Sequence, residues 1–181
     1  MTGRNWIGRT LLTLAFLASA VSAVPAQDRF DTQIANSISR EIDRYPQLTI
    51  FDFVSGTVEN GAVTLTGKVT MPFKKDDIGR KAAKVEGVQS VNNAIEVLPV
   101  SSYDEELRLR IARAIYGNSP FWQYGARANP PIRIIVERGH VTLTGVVRSA
   151  VDRMLARTLA TGFGELSVTN DLRTDAEMRS E

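Results

Sequence analysis

The 181-residue chain has no cysteine. That excludes disulfide staples, cysteine–metal sites and a lipid-bearing cysteine at a cleavage site, so the folded part must be held by core packing. Histidine occurs once, as His140. No phosphate-cradling loop, nucleophile elbow or metal-ligand spacing is present, and no metal or cofactor is expected. Gly162 and Gly164 stand in TGFGE, too short and wrongly placed for a dinucleotide fingerprint. All lysines fall between positions 68 and 84. The apolar run LLTLAFLASAVSA, from Leu11 to Ala23, falls short of the roughly 20 residues of a membrane span.

That run has the pattern of a secretory signal peptide: Arg4 and Arg9 precede it and small residues close it. Cleavage is expected after Ala26, with Ala23 as the alternative. A cut after Ala23 would leave Pro25 close behind the scissile bond. An uncleaved anchor is the competing reading. The net charge of +2 comes from 22 basic and 20 acidic residues, and losing Arg4 and Arg9 brings it to zero. A nucleic-acid binder shows a basic domain or stripe, so nucleic acid is not an expected partner.

What the chain does have is an internal repeat. VENGAVTLTGKV (58–69) aligns with VERGHVTLTGVV (136–147), with nine identities in twelve positions. The match continues downstream from GVQSVNN (87–93) to GELSVTN (164–170), and upstream from FDTQIANSISREI (30–42) to YDEELRLRIARAI (103–115). The second copy carries five extra residues between its first helix and first strand.

Each copy reads as a helix, a hairpin, a helix and a strand. Ile34, Ile38 and Ile42, and Leu107, Ile111 and Ile115, repeat every four residues as one helical stripe. Asn60-Gly61 and Arg138-Gly139 between alternating apolar residues predict tight hairpins. The next strands place Val63 and Leu65, or Val141 and Leu143, opposite outward threonines. Gly67 and Gly145 mark a bulge or a close backbone approach. Pro72, and Ser149 with Asp152, start the second helices. Their apolar sides are Ile78, Ala82 and Val85, and Leu155 and Leu159; Ala82 and Ala83, or Ala156 and Ala160, would lie close to the sheet. Val88, Val91, Ile95 and Val97, matched by Leu166, Val168 and Leu172, form the closing strands. The fold class is α+β: two tandem αββαβ units, each a small three-stranded mixed sheet with two helices on one face. The units are expected over 27–98 and 103–174, joined at 99–102 and followed by a polar tail, 175–181, that frays.

The pattern of these units resembles the BON domain family. Its carriers are Val58 to Val69 with Gly87 to Asn93, and Val136 to Val147 with Gly164 to Asn170. The defining positions are Gly61, Gly67, Gly87, Asn93, Gly139, Gly145, Gly164 and Asn170. Glu165 departs from the family, which places a hydrophobic residue there. Tandem copies after a signal peptide resemble osmotically inducible periplasmic proteins. The resemblance implies a periplasmic, non-enzymatic binding protein that contacts phospholipid surfaces and supports envelope integrity or osmotic stress tolerance. A chaperone-like or adaptor role toward other envelope proteins is the alternative.

Candidate sites are few. The stretch YGNSPFWQYGARANPP (116–131) and the helix before it bring Arg108, Arg110, Arg113, Tyr116, Phe121, Trp122, Tyr124 and Arg127 into one region. Tyrosine, tryptophan and arginine favour binding hot spots and lipid interfaces. An anionic phospholipid surface or an envelope protein is the expected partner; packing of these aromatics into their own domain is the competing reading. The acidic residues Asp76, Asp77, Asp104, Glu105 and Glu106 read as partners of helix dipoles. The run Lys74, Lys75, Arg80, Lys81 and Lys84 reads as a solvated helix face. His140 aligns with Ala62 of the other copy and reads as a solvated side chain rather than a base or ligand.

Overall fold

The computed structural model describes residues 26–127 and 129–180. The expected signal peptide lies outside the described residues. Domain 1 comprises α1 (Ala26–Asp43), β1 (Phe53–Glu59), β2 (Ala62–Val69), α2 (Pro72–Ala82), β3 (Ser90–Asn93) and β4 (Glu96–Val97). Domain 2 comprises α3 (Ser102–Tyr116), a 3-10 turn (Ser119–Phe121), α4 (Trp122–Gly125), β5 (Ile132–Glu137), β6 (His140–Val147), α5 (Ala150–Leu159) and β7 (Ser167–Thr174). A last helix, α6 (Asp175–Arg179), follows.

The expected unit is present twice. In each domain an antiparallel hairpin, β1–β2 or β5–β6, is joined on its far side by a parallel strand reached through the second helix. Domain 1 divides its closing strand into β3 and β4, both parallel to β2. In domain 2 the same strand, β7, is continuous over eight residues.

The cores follow the helical stripes. Ile34 and Ile38 pack with Val63, Leu65, Val69, Ile78 and Ile95. Leu107, Ile111 and Ile115 pack with Ile134, Leu143, Val147 and Leu172. Three apolar expectations are corrected. Val97 is exposed and its neighbour Leu98 is buried, because the break at β4 shifts the alternation. Ala83 lies outside α2 and is exposed. Leu166 is exposed because it sits before β7, where its N–H donates to Gly139 O at 2.8 Å.

Both hairpin turns take left-handed backbone at two successive residues, Asn60 and Gly61, and Arg138 and Gly139. Glycine accepts that conformation at little cost; asparagine and arginine do not share its freedom. Each turn is fastened by an aspartate of the first helix. Asp31 accepts from Asn60 N and Gly61 N at 2.6 and 2.9 Å. Asp104 accepts from Arg138 N and Gly139 N, both at 2.8 Å. Asp104 is buried, so its main task is this clamp rather than the helix dipole. Asp76 and Asp77 lie beyond the first turn of α2, and Asp77 instead accepts the Tyr45 hydroxyl at 2.6 Å.

Gly67 and Gly145 are sites of close approach. A Cβ at Gly67 would lie 2.1 Å from Phe53 O, and one at Gly145 would lie 1.9 Å from Pro131 O. The motif asparagines bind their closing strands to the second helices. Asn93 Nδ2 donates to Lys75 O at 2.8 Å, and Asn170 Nδ2 to Arg153 O at 2.9 Å.

Two further expectations change. The C-terminal residues include a short helix: Thr174 and Glu177 form a reciprocal capping box, and Glu177 pairs with Arg153 at 2.9 Å. Lys74 is not on a solvated face. It is buried, 2.6 Å from Asp52 Oδ2. Asp52 also accepts from the N–H and hydroxyl groups of Thr49 and Thr70. Burial alone would raise the Asp52 pKa, but Lys74 and these donors hold it below the usual carboxylate value.

The domains are latched. Ile50 and Phe51 of domain 1 pack against the core of domain 2. Ile134 N donates to Ile50 O at 2.7 Å, and Arg133 Nη1 to Thr49 O at 2.9 Å. Lys68 of β2 bonds Glu137 of β5.

Candidate binding surfaces

The arginine and aromatic residues of copy two do not form one patch. Ser101 caps α3, accepting from Asp104 N at 3.2 Å, and Gly117 closes it. The chain then turns back along its own helices. Phe121 and Tyr124 are buried, their ring centroids 5.7 Å apart. The Tyr124 hydroxyl donates to Asp152 Oδ2 at 2.7 Å and accepts from Arg148 N at 2.8 Å. The Arg127 and Arg148 guanidinium groups stand over the Tyr124 ring at 5.8 and 5.1 Å. Burial raises the Tyr124 pKa, so the phenol stays protonated and able to donate. Tyr116 is half-buried, and its hydroxyl donates to Ile132 O at 2.5 Å.

Arg108 is buried, with Nη2 donating to Val136 O at 2.7 Å. Its Nε has no hydrogen-bond partner among the described residues. Burial lowers its pKa, against the opposing fields of Asp104, Glu105 and Asp52. Arg110 is exposed and paired with Glu106 at 2.6 Å. Arg113 and Arg127 are exposed.

Trp122 remains, 75% exposed on α4. Its neighbour Gln123 holds Arg148 at 3.2 Å, and Tyr124 holds Asp152, so α4 is fixed to the start of α5. On α5, Val151 is 72% and Met154 70% exposed. Sequence reasoning assigned the apolar side of α5 to Leu155 and Leu159 and passed over these two. Their signal was present: two large apolar residues three apart, off the core stripe. Trp122, Val151 and Met154 are thus exposed apolar side chains on α4 and α5, and Arg113, Arg148 and Arg157 are exposed cations on or beside the helices of the same domain.

Two clefts lie where the domains meet. One, of about 420 Å³, is lined by Lys68, Glu137, His140, Thr142, Thr144 and Asp171. Lys68 bridges Glu137 and Glu96, and the Glu137 hydrogen bond raises its pKa. His140 is exposed, its Nδ1 2.8 Å from Ser167 Oγ. A histidine beside a serine is two parts of a nucleophile system. The third part, a group orienting the base, has no counterpart bonded to His140 among the described residues. The other cleft is apolar, lined by Phe51, Met71, Phe73, Leu98, Val100 and Leu109, with Arg108 at its wall. Among the described residues no group of three or more histidine or acidic side chains could hold a metal ion.

Glu165, the departure in copy two, has a local task. Its carboxylate accepts from Gly162 N and Phe163 N, both at 2.8 Å, and so shapes the turn before β7. Burial raises its pKa, but the backbone donors outweigh that and hold it low.

This arrangement is one α+β module built twice. Residues 30–99 and 104–176 each match the family model described as "BON domain", and the chain belongs to that family. BON domains are non-catalytic binding domains, and the family is linked to envelope and periplasmic proteins. A comparison with curated proteins found no match. Among solved structures, the chain is similar to CdsD, a structural protein of the type III secretion system of Chlamydia trachomatis. Identity is 15%, covering 82% of this chain and 96% of that one, with a TM-score of 0.28. For the C-terminal domain of CdsD the identity is 12%, covering 76% and 94%, with a TM-score of 0.27. Likeness this low carries no functional argument. No helix among the described residues is long and apolar enough to cross a membrane.

Proposed function

We propose that the protein is an exported, non-enzymatic binding protein of the periplasm. It contacts anionic phospholipid surfaces through the helical layer of domain 2, in support of envelope integrity under osmotic stress. The observation that carries this reading is the exposure of Trp122, Val151 and Met154 on domain 2, which also exposes Arg113, Arg148 and Arg157. Tryptophan suits the boundary between headgroups and acyl chains. Each arginine near an anionic surface contributes about 1 kcal/mol, which salt screens. Contact is therefore peripheral, reversible and salt-sensitive. Nucleic acid has no place in this reading, and no metal or cofactor is required by it.

The test is co-sedimentation of residues 27–181 with neutral and anionic vesicles at low and high salt. Both cores lie within that span. Binding to anionic vesicles alone, lost at high salt and weakened by Trp122→Ala with Met154→Gln, supports the reading. Binding that ignores lipid charge, or that the double variant leaves unchanged, overturns it.

A further inference from the structure

The two domains share one fold, but they treat the outer edge of the first hairpin strand in opposite ways. In a hairpin closed by a two-residue turn, alternate residues point both backbone groups away from the partner strand. In β5 these are Ile132, Ile134 and Val136. One outward group of each is engaged: Ile132 O accepts from the Tyr116 hydroxyl, Ile134 N donates to Ile50 O, and Val136 O accepts from Arg108. The edge of domain 2 is thus covered at three successive outward positions.

The matching residues of β1 are Val54, Gly56 and Val58, at the same register against β2. Their outward N–H and C=O groups have no partner among the described residues. The sequence shows why. In the aligned first helices, Ala35 stands where copy two has Arg108, and Asp43 where it has Tyr116. Neither side chain can reach over to bond the strand. The β1 segment FVSGTVE has no lysine or proline and pairs with β2 without a bulge, so it lacks three of the devices that protect an edge. Where Arg108 lies in domain 2, domain 1 has an open groove of about 430 Å³. Asp28, Thr32 and Ala35 of α1 and Val58 and Glu59 of β1 line it.

We infer that the β1 edge of domain 1 is a docking site for an extended segment of a partner protein that carries a basic side chain. The segment adds as a further strand at the β1 edge, bonding Val54, Gly56 and Val58. Its lysine or arginine takes the place that Arg108 fills in domain 2, beside Asp28 and Glu59. Charge complementarity selects this occupant, since no cation lines the groove. A second copy of the chain does not fit. α1 packs on β1, so pairing two β1 edges about a two-fold axis would bring two α1 helices onto the same face of the joined sheet, over adjacent strands about 5 Å apart. Packed helices need about 8–10 Å. A lone strand brings no helix with it.

The site is distinct from the lipid-facing layer of domain 2, and so is its test. The probes are a synthetic heptapeptide of alternating valine and lysine and its valine–glutamate counterpart, titrated into residues 27–181 without lipid and followed by amide NMR. The valine–lysine peptide is expected to shift the amides of Val54, Gly56 and Val58 and slow their exchange, leaving Ile134 unaffected. The glutamate peptide should bind at least about tenfold more weakly, as for the loss of one favourable charge pair. Ala35→Arg, which gives copy one the blocking residue of copy two at a half-buried position lining the groove, should abolish binding. Trp122→Ala should not. No shift at the three amides overturns the proposal, as does equal binding of the two peptides or undiminished binding by Ala35→Arg. Protection of the same amides by raising the protein concentration alone also overturns it, in favour of a second copy.

Discussion

Removal of the Asp104 carboxylate separates two accounts of the same residue. If Asp104 serves the helix dipole, Asp104→Ala costs about 0.3–1 kcal/mol, and so does loss of its neighbour Glu105. The structure gives a larger figure. Asp104 is 1% exposed and accepts from two N–H groups, one of them buried, at 2.8 Å. Leaving a buried donor without a partner costs about 1–3 kcal/mol. Arg138 must also keep its left-handed backbone without the clamp. Partial entry of water at the exposed end of the turn reduces the total. Asp104→Ala is therefore expected to destabilise domain 2 by about 2–4 kcal/mol. Glu105→Ala, with a solvated side chain, should stay within about 1 kcal/mol. The assay is urea unfolding of residues 27–181, comparing midpoints at constant slope. Asp31→Ala should show the same effect in domain 1 at smaller size, because Asn60 N is exposed. Equal, sub-kilocalorie effects of Asp104→Ala and Glu105→Ala would refute the clamp.

Three further outcomes follow from the geometry. Phe121→Ala should cost about 3–5 kcal/mol as a core truncation, whereas Trp122→Ala next to it should change stability by no more than about 0.5 kcal/mol; thermal unfolding of the two variants checks the contrast. Gly145→Ala should cost more than about 2 kcal/mol, because its Cβ would meet Pro131 O at 1.9 Å on backbone of φ +116°; a mild effect in calorimetry would contradict the close approach. The folded-state pKa of Asp52 is lowered, so its stabilising contribution is complete above the unfolded value near 3.8 and fades as pH falls through the folded value. Asp52→Asn should flatten the loss of stability below about pH 4, and an acid limb identical to that of the unaltered protein would contradict the assignment.

The repeat made the fold legible. Two aligned copies of a hairpin motif mark the same turns, stripes and glycines twice, and the chemistry of Asn60-Gly61 and Arg138-Gly139 is local. The asparagines Asn93 and Asn170 were legible as motif positions but not as bonds, because their partners Lys75 O and Arg153 O are fixed only by the crossover. The candidate site was less legible. Phe121, Trp122 and Tyr124 are neighbours in sequence, yet a 3-10 turn followed by α4 sends two inward and one outward. Charged residues misled for a related reason. Lys74 sits in a basic run, but Asp52, distant in sequence, draws it into the interior. Asp104 looks like a dipole residue until the hairpin arrives over it. The latch between domains, carried by Ile50 and Phe51, leaves no periodic trace, since both lie in a connection rather than in an element.

Trp122 offers the most direct test of the proposed lipid contact, because the chain's other tryptophan is Trp6 and residues 27–181 therefore contain Trp122 alone. Its fluorescence is to be followed as anionic vesicles are added, with brominated acyl chains as quenchers. The account predicts a blue shift and quenching with anionic vesicles, both reversed by salt and both absent with neutral vesicles. Emission that keeps its solvent-exposed maximum in saturating anionic vesicles would contradict it.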